Sequence, residues 1–233
     1  MVESFNDLPL PPFANRIGGG NPHAVGMGFL VLFKQLGLVP VQSILDLGCG
    51  IGRIAFYLRD QCKDYVGVDI HAPSLVWCAQ NLPQNMPDVH MAFISPDAWA
   101  GSMAWNKGHF DLTIALSLFT HTDPKTTTEY FHRVYSNLKP GGYFFFSFFN
   151  SLLSSPKASR QFPHKYVDSS GLSCQCVRAA WNMQNDVAYS ASDLTRLFDG
   201  IGFKTAGYIE GNWSGLHPNM DLMHQDMILL RKP

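Results

Sequence analysis

The sequence has little charge, no long apolar run and few cysteines. Only 15% of its 233 residues are charged and the formal net charge is −1, which argues against disorder and against the positive field that attracts nucleic acid. Apolar runs such as residues 143–149 are far shorter than the roughly 20 residues of a membrane-spanning helix. The start of the chain lacks the basic and apolar regions of a signal peptide. We therefore expect a cytoplasmic protein without a membrane or nucleic-acid partner.

The five cysteines are an odd number and lie in predicted core elements, which indicates reduced thiols rather than a disulfide framework. Cys174 and Cys176 form a closely spaced pair. A structural zinc site needs four ligands, and no second cysteine or histidine pair follows at a suitable spacing. We therefore expect no metal, with a soft metal on this pair as the alternative.

Hydrophobic residues make up 46% of the chain, enough for the core of a single domain. From Ser43 onward, short β-type runs alternate with helical runs, an order typical of a parallel sheet covered by helices. We predict strands over 43–47, 65–69, 90–95, 110–117, 143–150, 203–209 and 226–230, and helices over 25–38, 53–61, 74–82, 124–138 and 190–200. The last two strands are close enough in sequence to pair antiparallel. Residues 139–142 are predicted to form a turn that ends the helix over 124–138.

Four segments follow from this order within one domain over residues 1–233. They are an N-terminal arm and helix covering the site (1–38), a cofactor-binding core (39–150), an inserted lid (151–189), and a C-terminal helix with strands (190–233). The insertion shows no clear period, and a segment of this length is usually a functional cover or disordered. In the arm, three successive glycines, Gly18, Gly19 and Gly20, either let the backbone approach a ligand or form a flexible joint.

The strongest motif is residues 44–53, ILDLGCGIGR, in which a strand ends in an acid, glycines follow at alternate positions and a helix begins. Gly48 and Gly50 allow the backbone to turn tightly under an adenosyl ligand, and Gly52 allows the helix to pack against the strand. Asp46 is placed to hold a cationic ammonium group, directly or through water.

The same motif argues against a nicotinamide-dependent oxidoreductase. The dinucleotide fingerprint G-x-G-x-x-G needs a third glycine so that the helix N-terminus can face a pyrophosphate. This chain has Arg53 at that position.

Two further acids follow the next predicted strands. Asp69 comes about 20 residues after the glycine motif, where a carboxylate can accept hydrogen bonds from ribose hydroxyls, although a cap of the following helix is the alternative. Asp97 is placed to accept the adenine amino group, with Ala98 or Trp99 against the ring. An ordinary loop acid is the alternative for Asp97.

Together, residues 45–53, 66–70, 110–121 and 138–142 resemble the class I S-adenosylmethionine-dependent methyltransferase superfamily, in a bacterial small-molecule branch. The resemblance implies an α/β fold: a doubly wound, Rossmann-like seven-stranded sheet with an antiparallel last strand and an inserted lid. It also implies S-adenosyl-L-methionine as the cofactor, bound over the loop after the first strand. The positions expected to contact it are Arg16, Gly19, Asp46, Gly48, Cys49, Gly50, Arg53, Asp69, Ile70, Asp97, Ala98 and Leu116.

Methyl transfer from a sulfonium is an in-line displacement, so the enzyme aligns the acceptor, excludes water and, for a hydroxyl, removes a proton. His121, just past the fourth predicted strand, is the expected base because an imidazole titrates near neutral pH. A cap or a packing role is the alternative. Further choices for the base are His164, His217 and His224.

The acceptor is expected to be a small molecule, and its pocket is expected in the least patterned parts of the chain. Trp181, Tyr189 and Trp213 either line this pocket or belong to the core. The sequence predicts O-methylation of a sugar or a secondary metabolite. The alternatives are N- or C-methylation, or a protein that binds S-adenosylmethionine in a non-methylating role.

Overall fold

The computed structural model describes residues 3–14, 17, 20–83, 88–102, 107–151, 162–167, 172–177, 186–213 and 224–233. The chain folds into two compact units, Met1–Ile114 and Ala115–Pro233. Over these ranges, none of the helices has both the length and the apolar character needed to cross a membrane.

The first unit is built on a parallel sheet. Its strands are β1 (Ser43–Leu47), β2 (Asp64–Val68), β3 (His90–Ile94) and β4 (Phe110–Ala115), in the order β3-β2-β1-β4. Every residue of β1 is buried, as expected of a strand with parallel neighbours on both edges. The predicted alternation of strands and helices is therefore confirmed in this unit.

The α-helices in the described part of the first unit are α1 (Pro22–Gln35), α2 (Arg53–Tyr57), α3 (Ala72–Asn81) and α4 (Pro96–Gly101). α1 starts where it does because the side chain of Asn21 accepts a hydrogen bond from the amide of Ala24 at 3.1 Å. α4 replaces the loop predicted around Asp97. The hydroxyl of Ser95 caps this short helix by accepting a hydrogen bond from the amide of Ala98.

The second unit is built on the long strand β5 (Leu138–Asn150). β5 pairs antiparallel with β10 (Asp226–Arg231), which in turn pairs antiparallel with β9 (Lys204–Ile209). The predicted antiparallel pairing of the last two strands is confirmed. Helices α5 (Pro124–Asn137) and α6 (Ala191–Ile201) pack through Phe131 and Phe198, whose rings stack at 6.2 Å.

The missing period suggested that the inserted segment 151–189 has no regular structure. Its described part nevertheless contains strands. It contains β6 (His164–Val167), β7 (Ser173–Cys176) and β8 (Val187–Tyr189), which pair antiparallel in that order, and β8 pairs in parallel with the end of β5. Strands of three or four residues are too short to show a two-residue alternation, so the sequence pattern could not reveal them.

The turn predicted at residues 139–142 is also wrong, because these residues open β5. The amide of Gly141 donates to the carbonyl of Lys232, and the amide of Lys232 donates to the carbonyl of Gly142. Backbone hydrogen bonds to the end of the chain thus hold the Lys-Pro-Gly-Gly sequence at the start of β5, with Gly141 at a φ of 81°, which its local turn propensity did not predict.

Candidate functional site

The loop between β1 and α2 is tied to the end of β2. The amides of Gly48 and Cys49 both donate to the carbonyl of Val68, at 2.7 and 3.1 Å. The amide of Gly50 donates to Oδ2 of Asp69 at 2.8 Å, and Gly50 has a φ of 54°, in the left-handed region that favours glycine. The predicted glycine loop is therefore a fixed turn whose course depends on the residues that follow β2.

Asp69 connects this loop to the start of α3. While its Oδ2 holds the amide of Gly50, its Oδ1 accepts a hydrogen bond from the amide of His71 at 2.8 Å. His71 is the residue that immediately precedes α3, so Asp69 holds the turn that leads into this helix, although no side chain caps its first turn. A carboxylate has about four acceptor positions, so Asp69 can still accept hydrogen bonds from ligand hydroxyls. Holding this turn and accepting ligand hydroxyls are therefore compatible.

Asp46 lies on β1, two residues before Gly48, and is only 2% exposed. Burial raises the pKa of Asp46 to about 7, while a hydrogen bond from the Tyr65 hydroxyl and the charge of Arg53 act in the opposite direction. Tyr65 was missed from the sequence, because only the pairing of β1 with β2 brings the two residues together. The carboxyl group is thus poised to gain or lose a proton near neutral pH.

The other predicted contact residues of the first unit have different surroundings. Cys49 is buried, and burial raises the pKa of its thiol well above the usual value, so its side chain belongs to the core. Arg53 opens α2 and is half-buried, whereas Ile70 is 62% exposed. Asp97 and Ala98 are exposed on the first turn of α4. Arg16 and Gly19 lie outside the described residues.

In the second unit, His121 lies in the turn that follows β4. The turn is closed by a hydrogen bond from the His121 amide to the carbonyl of Leu118 at 3.0 Å. Nδ1 of His121 lies 3.5 Å from Oδ1 of Asp186, and about half of each side chain is exposed. Asp186 was missed because it is 65 positions away and no local pattern marks it. A solvent-accessible imidazole beside a carboxylate has the chemistry of a general base.

The same turn contains a strained residue. Ser117 follows the half-buried Leu116 and has a φ of 60°, which makes it the one non-glycine residue with positive φ in the described ranges. Its amide donates to Oγ of Ser147 at 2.8 Å, and both serine hydroxyls donate to Oε1 of Gln225, at 3.2 and 2.5 Å. Such strain persists only where neighbouring groups enforce it, and it is frequent at functional sites. None of these three residues was among the predicted site residues.

The other two described histidines that were considered as bases are exposed in other segments of the chain. His164 is exposed on β6, and His224 is exposed with its ring edge-on to Phe149 at 5.8 Å. His217 lies outside the described residues. His121 therefore stays the prediction for the base.

Two of the predicted pocket aromatics are core residues. Tyr189 is fully buried and donates to the carbonyl of Thr122 at 2.6 Å. Trp213 is 1% exposed, and its indole donates to Asp226 at 2.5 Å. Trp181 lies outside the described residues. The core alternative is thus the one that the structure favours for Tyr189 and Trp213.

Cys174 and Cys176 project from β7 with their sulfur atoms 3.6 Å apart, and both are buried. Within the ranges that the structure covers, no three or more His, Cys, Asp or Glu residues are grouped so that they could hold a metal ion.

Comparison with known proteins agrees with the glycine loop. Residues 44–142 match the family described as methyltransferase domain. A ubiquinone biosynthesis O-methyltransferase of Paracidovorax citrulli (strain AAC00-1) is 30% identical over 118 residues, which are 49% of this chain and 47% of that protein. The chain spans about half the length of several curated relatives that it matches.

Solved structures show the same fold. An S-adenosylmethionine-dependent methyltransferase from Clostridium acetobutylicum ATCC 824 has a TM-score of 0.62 at 15% identity, covering 94% of this chain and 95% of that one. A Burkholderia thailandensis 1,6-didemethyltoxoflavin-N1-methyltransferase, with 1,6-didemethyltoxoflavin and S-adenosylhomocysteine bound, has a TM-score of 0.61 at 18% identity, covering 91% and 79%. The predicted α/β Rossmann-like fold is confirmed.

Proposed function

We propose that this chain transfers a methyl group from S-adenosylmethionine to a hydroxyl group of a small-molecule acceptor. The observation that carries the proposal is the bridge made by Asp69, whose two oxygens hold the amides of Gly50 and His71. The bridge fixes a glycine loop against the start of a helix within the matched methyltransferase domain. A carboxylate with free acceptor positions at this point suits the two hydroxyls of a ribose.

S-adenosylmethionine supplies an electrophilic methyl group, which an acceptor oxygen takes in an in-line displacement that breaks the carbon–sulfur bond. Asp69 accepts the ribose hydroxyls, and the absence of side chains at Gly48 and Gly50 allows the ligand to lie close to the backbone. Asp97, exposed on α4, accepts the adenine amino group. The proposal also includes contacts of Arg16, Gly19 and Leu116 with S-adenosylmethionine.

His121 takes the proton that the acceptor hydroxyl loses as its oxygen forms the new bond. Neutral imidazole accepts this proton at a ring nitrogen, and the carboxylate of Asp186, 3.5 Å from Nδ1, is placed to orient the ring. Both side chains are about half exposed, so solvent screens this pair and its contribution is modest.

The acceptor that we propose is a hydroxylated metabolite, such as a sugar or an intermediate of secondary metabolism, in the cytoplasm. The absence of a basic surplus in the sequence supports a small molecule over nucleic acid. A relative named for ubiquinone biosynthesis O-methylation supports oxygen as the methylated atom. The N1-methyltransferase among the structural neighbours keeps nitrogen as the alternative.

The cofactor part is tested by calorimetric titration with S-adenosylmethionine, S-adenosylhomocysteine and NAD. We expect micromolar binding of both sulfur ligands, loss of that binding in Asp69→Ala, and no change in Asp60→Ala, a carboxylate whose side chain is 84% exposed. Binding of NAD in preference to the sulfur ligands would overturn the proposal.

The acceptor part is tested by transfer of labelled methyl groups from S-adenosylmethionine to panels of hydroxylated compounds and amines. We expect products from the hydroxyl panel and a decrease in kcat of about 100-fold or more in His121→Gln, with unchanged affinity for S-adenosylhomocysteine. His132→Gln, on the exposed face of α5, is the matched control. Products from the amine panel alone would show that the methylated atom is nitrogen.

A further inference from the structure

The N-terminal arm reaches the residues that are proposed to bind ribose. We propose that residues 3–14 and Ile17, here called the strap, close over the ribose end of the cofactor site, so that cofactor binding and strap docking stabilise each other. This inference rests on the proposed function, because it takes Asp69 as the ribose ligand.

The first half of the strap is anchored on α2 and α3. Phe5 is fully buried, with its ring 5.7 Å from that of Phe56 and 6.0 Å from that of Trp77. The amide of Phe5 donates to the hydroxyl of Tyr57 at 3.0 Å, and the indole of Trp77 donates to the carbonyl of Pro9 at 3.1 Å. Apolar burial and two hydrogen bonds therefore fix the strap at residues 5 and 9.

The second half of the strap contacts both residues that Asp69 holds. The ring of Phe13 packs edge-on against His71 at 4.9 Å. Ile17 lies over the glycine loop so closely that a Cβ built on Gly50 would be 2.8 Å from its Cγ2. The carboxylate of Asp69 joins Gly50 to His71, and the strap places an apolar side chain at each end of this bridge.

This placement links the strap to ligand binding. Phe13 and Ile17 are only half-buried, so they have apolar surface left to place against a bound nucleoside. A ligand that contacts the docked strap favours the docked state, and by reciprocity the docked strap raises the affinity for the ligand. Closing the strap also removes water from the cofactor, which methyl transfer requires.

The test uses the full chain with S-adenosylhomocysteine as the probe. We expect Phe13→Ala and Ile17→Ala each to raise the Kd by about three- to tenfold, since a tenfold change needs only about 1.4 kcal/mol. Trp77→Phe keeps an aromatic side chain against Phe5 but removes the indole N–H that donates to Pro9 together with part of the buried ring, and it should raise the Kd by a smaller factor. Val31→Ala, at an exposed position of α1, is the control and should leave the Kd unchanged.

Amide hydrogen exchange gives a second readout that does not depend on a variant. S-adenosylhomocysteine should slow exchange in residues 3–14 of the natural sequence, and the slowing should be lost in Phe13→Ala. If the natural protein binds the probe but the variants bind it equally well and exchange in the strap is unchanged, the strap inference is overturned and the proposed function stands. If the natural protein does not bind the probe, the proposed function fails and the inference fails with it.

Discussion

Tyr65 donates a hydrogen bond to Asp46, and both side chains are buried. The two residues lie on neighbouring parallel strands, where Asp46 is aligned with Gly67, two positions beyond Tyr65. Burial and the nearby Asp46 raise the pKa of the Tyr65 hydroxyl well above its usual value, so it remains a donor. Burial also raises the pKa of Asp46 to about 7. The protonation of this pair therefore changes within the physiological range.

The raised pKa of Asp46 predicts that stability declines as the pH rises. In the unfolded chain this carboxyl titrates near 3.8, so between about pH 4 and pH 7 the folded state holds a proton that the unfolded state has lost. The stabilising effect is complete below the unfolded pKa and is lost as the pH passes the folded pKa. Asp46→Asn stays neutral throughout, so its free energy of unfolding relative to the natural protein should rise between pH 5 and pH 8 by about 2–3 kcal/mol.

Urea unfolding at pH 5, 6, 7 and 8 measures this difference. Asp60→Asn, with a side chain 84% exposed, is the control and should show little change with pH. A stability difference between Asp46→Asn and the natural protein that is constant across the four pH values would contradict the assignment of a raised pKa to Asp46.

Gly26 and Gly28 both lie on α1, but their surroundings predict opposite effects for the same substitution. A Cβ on Gly26 would lie 2.1 Å from the ring of Tyr57 and 2.8 Å from the carbonyl of Arg53, whereas a Cβ on Gly28 would meet nothing within 4 Å. We expect Gly26→Ala to lower the free energy of unfolding by about 1–3 kcal/mol through overpacking. Gly28→Ala should raise it by up to about 1 kcal/mol, because alanine favours a helix. Thermal unfolding of the two variants under one condition tests the packing of α1 on α2. Equal changes in the free energy of unfolding for the two variants would contradict this packing.

Local spacing was sufficient to predict the glycine loop and its first strand. The bounds of β1 were predicted to the residue, because a buried apolar run ends directly at Gly48. Asp69 was found for the same reason, as the acid that follows the next apolar run. In a parallel sheet the carboxyl ends of neighbouring strands meet at one edge, so two such local signals are enough to predict a shared site.

The partners of these residues could not be predicted in the same way, because they depend on long-range pairing. Asp46 meets Tyr65 across 19 positions, and Ser117 meets Gln225 across 108. No pattern near Ser117 in the sequence indicates a positive φ, since the conformation depends on Ser147 and Gln225. The site elements that were missed are those for which tertiary contacts, rather than local propensity, decide the conformation.

Alanine substitutions at Gly50 and Gly37 distinguish the loss of stability caused by a strained backbone from the loss of affinity caused by a blocked ligand site. Both have positive φ, 54° and 67°, but a Cβ on Gly50 would lie 2.8 Å from Ile17, while a Cβ on Gly37 would meet nothing within 4 Å. Alanine should cost about 1–2 kcal/mol of stability at either position because of the left-handed conformation, and at Gly50 the contact with Ile17 should add to this cost. Only Gly50→Ala should also weaken S-adenosylhomocysteine binding, by roughly tenfold or more. Unfolding and titration of the two variants give both quantities, and equal affinities would argue against a ligand close to Gly50.

Asp226 is a fully buried carboxylate that joins the ends of three strands to the segment that follows β9. It accepts hydrogen bonds from the amide of Asn150 at 3.0 Å, the hydroxyl of Tyr208 at 2.9 Å, the amide of Gly211 at 3.0 Å and the indole of Trp213 at 2.5 Å. Each oxygen receives two donors, so this acid uses its full capacity as an acceptor.

Asp226→Asn should therefore destabilise the chain, because its amide nitrogen turns two of the four acceptor positions into donors. We expect a loss of about 2–4 kcal/mol in the free energy of unfolding, since buried donors remain without acceptors. Tyr208→Phe removes one donor from the partly exposed Tyr208 and should cost only about 1 kcal/mol. The loss of stability in the double variant should be smaller than the sum of the two single losses, because the Tyr208 hydroxyl is no longer there to face a mismatched amide. Strictly additive losses in urea unfolding would show that Tyr208 and Asp226 do not act as one network.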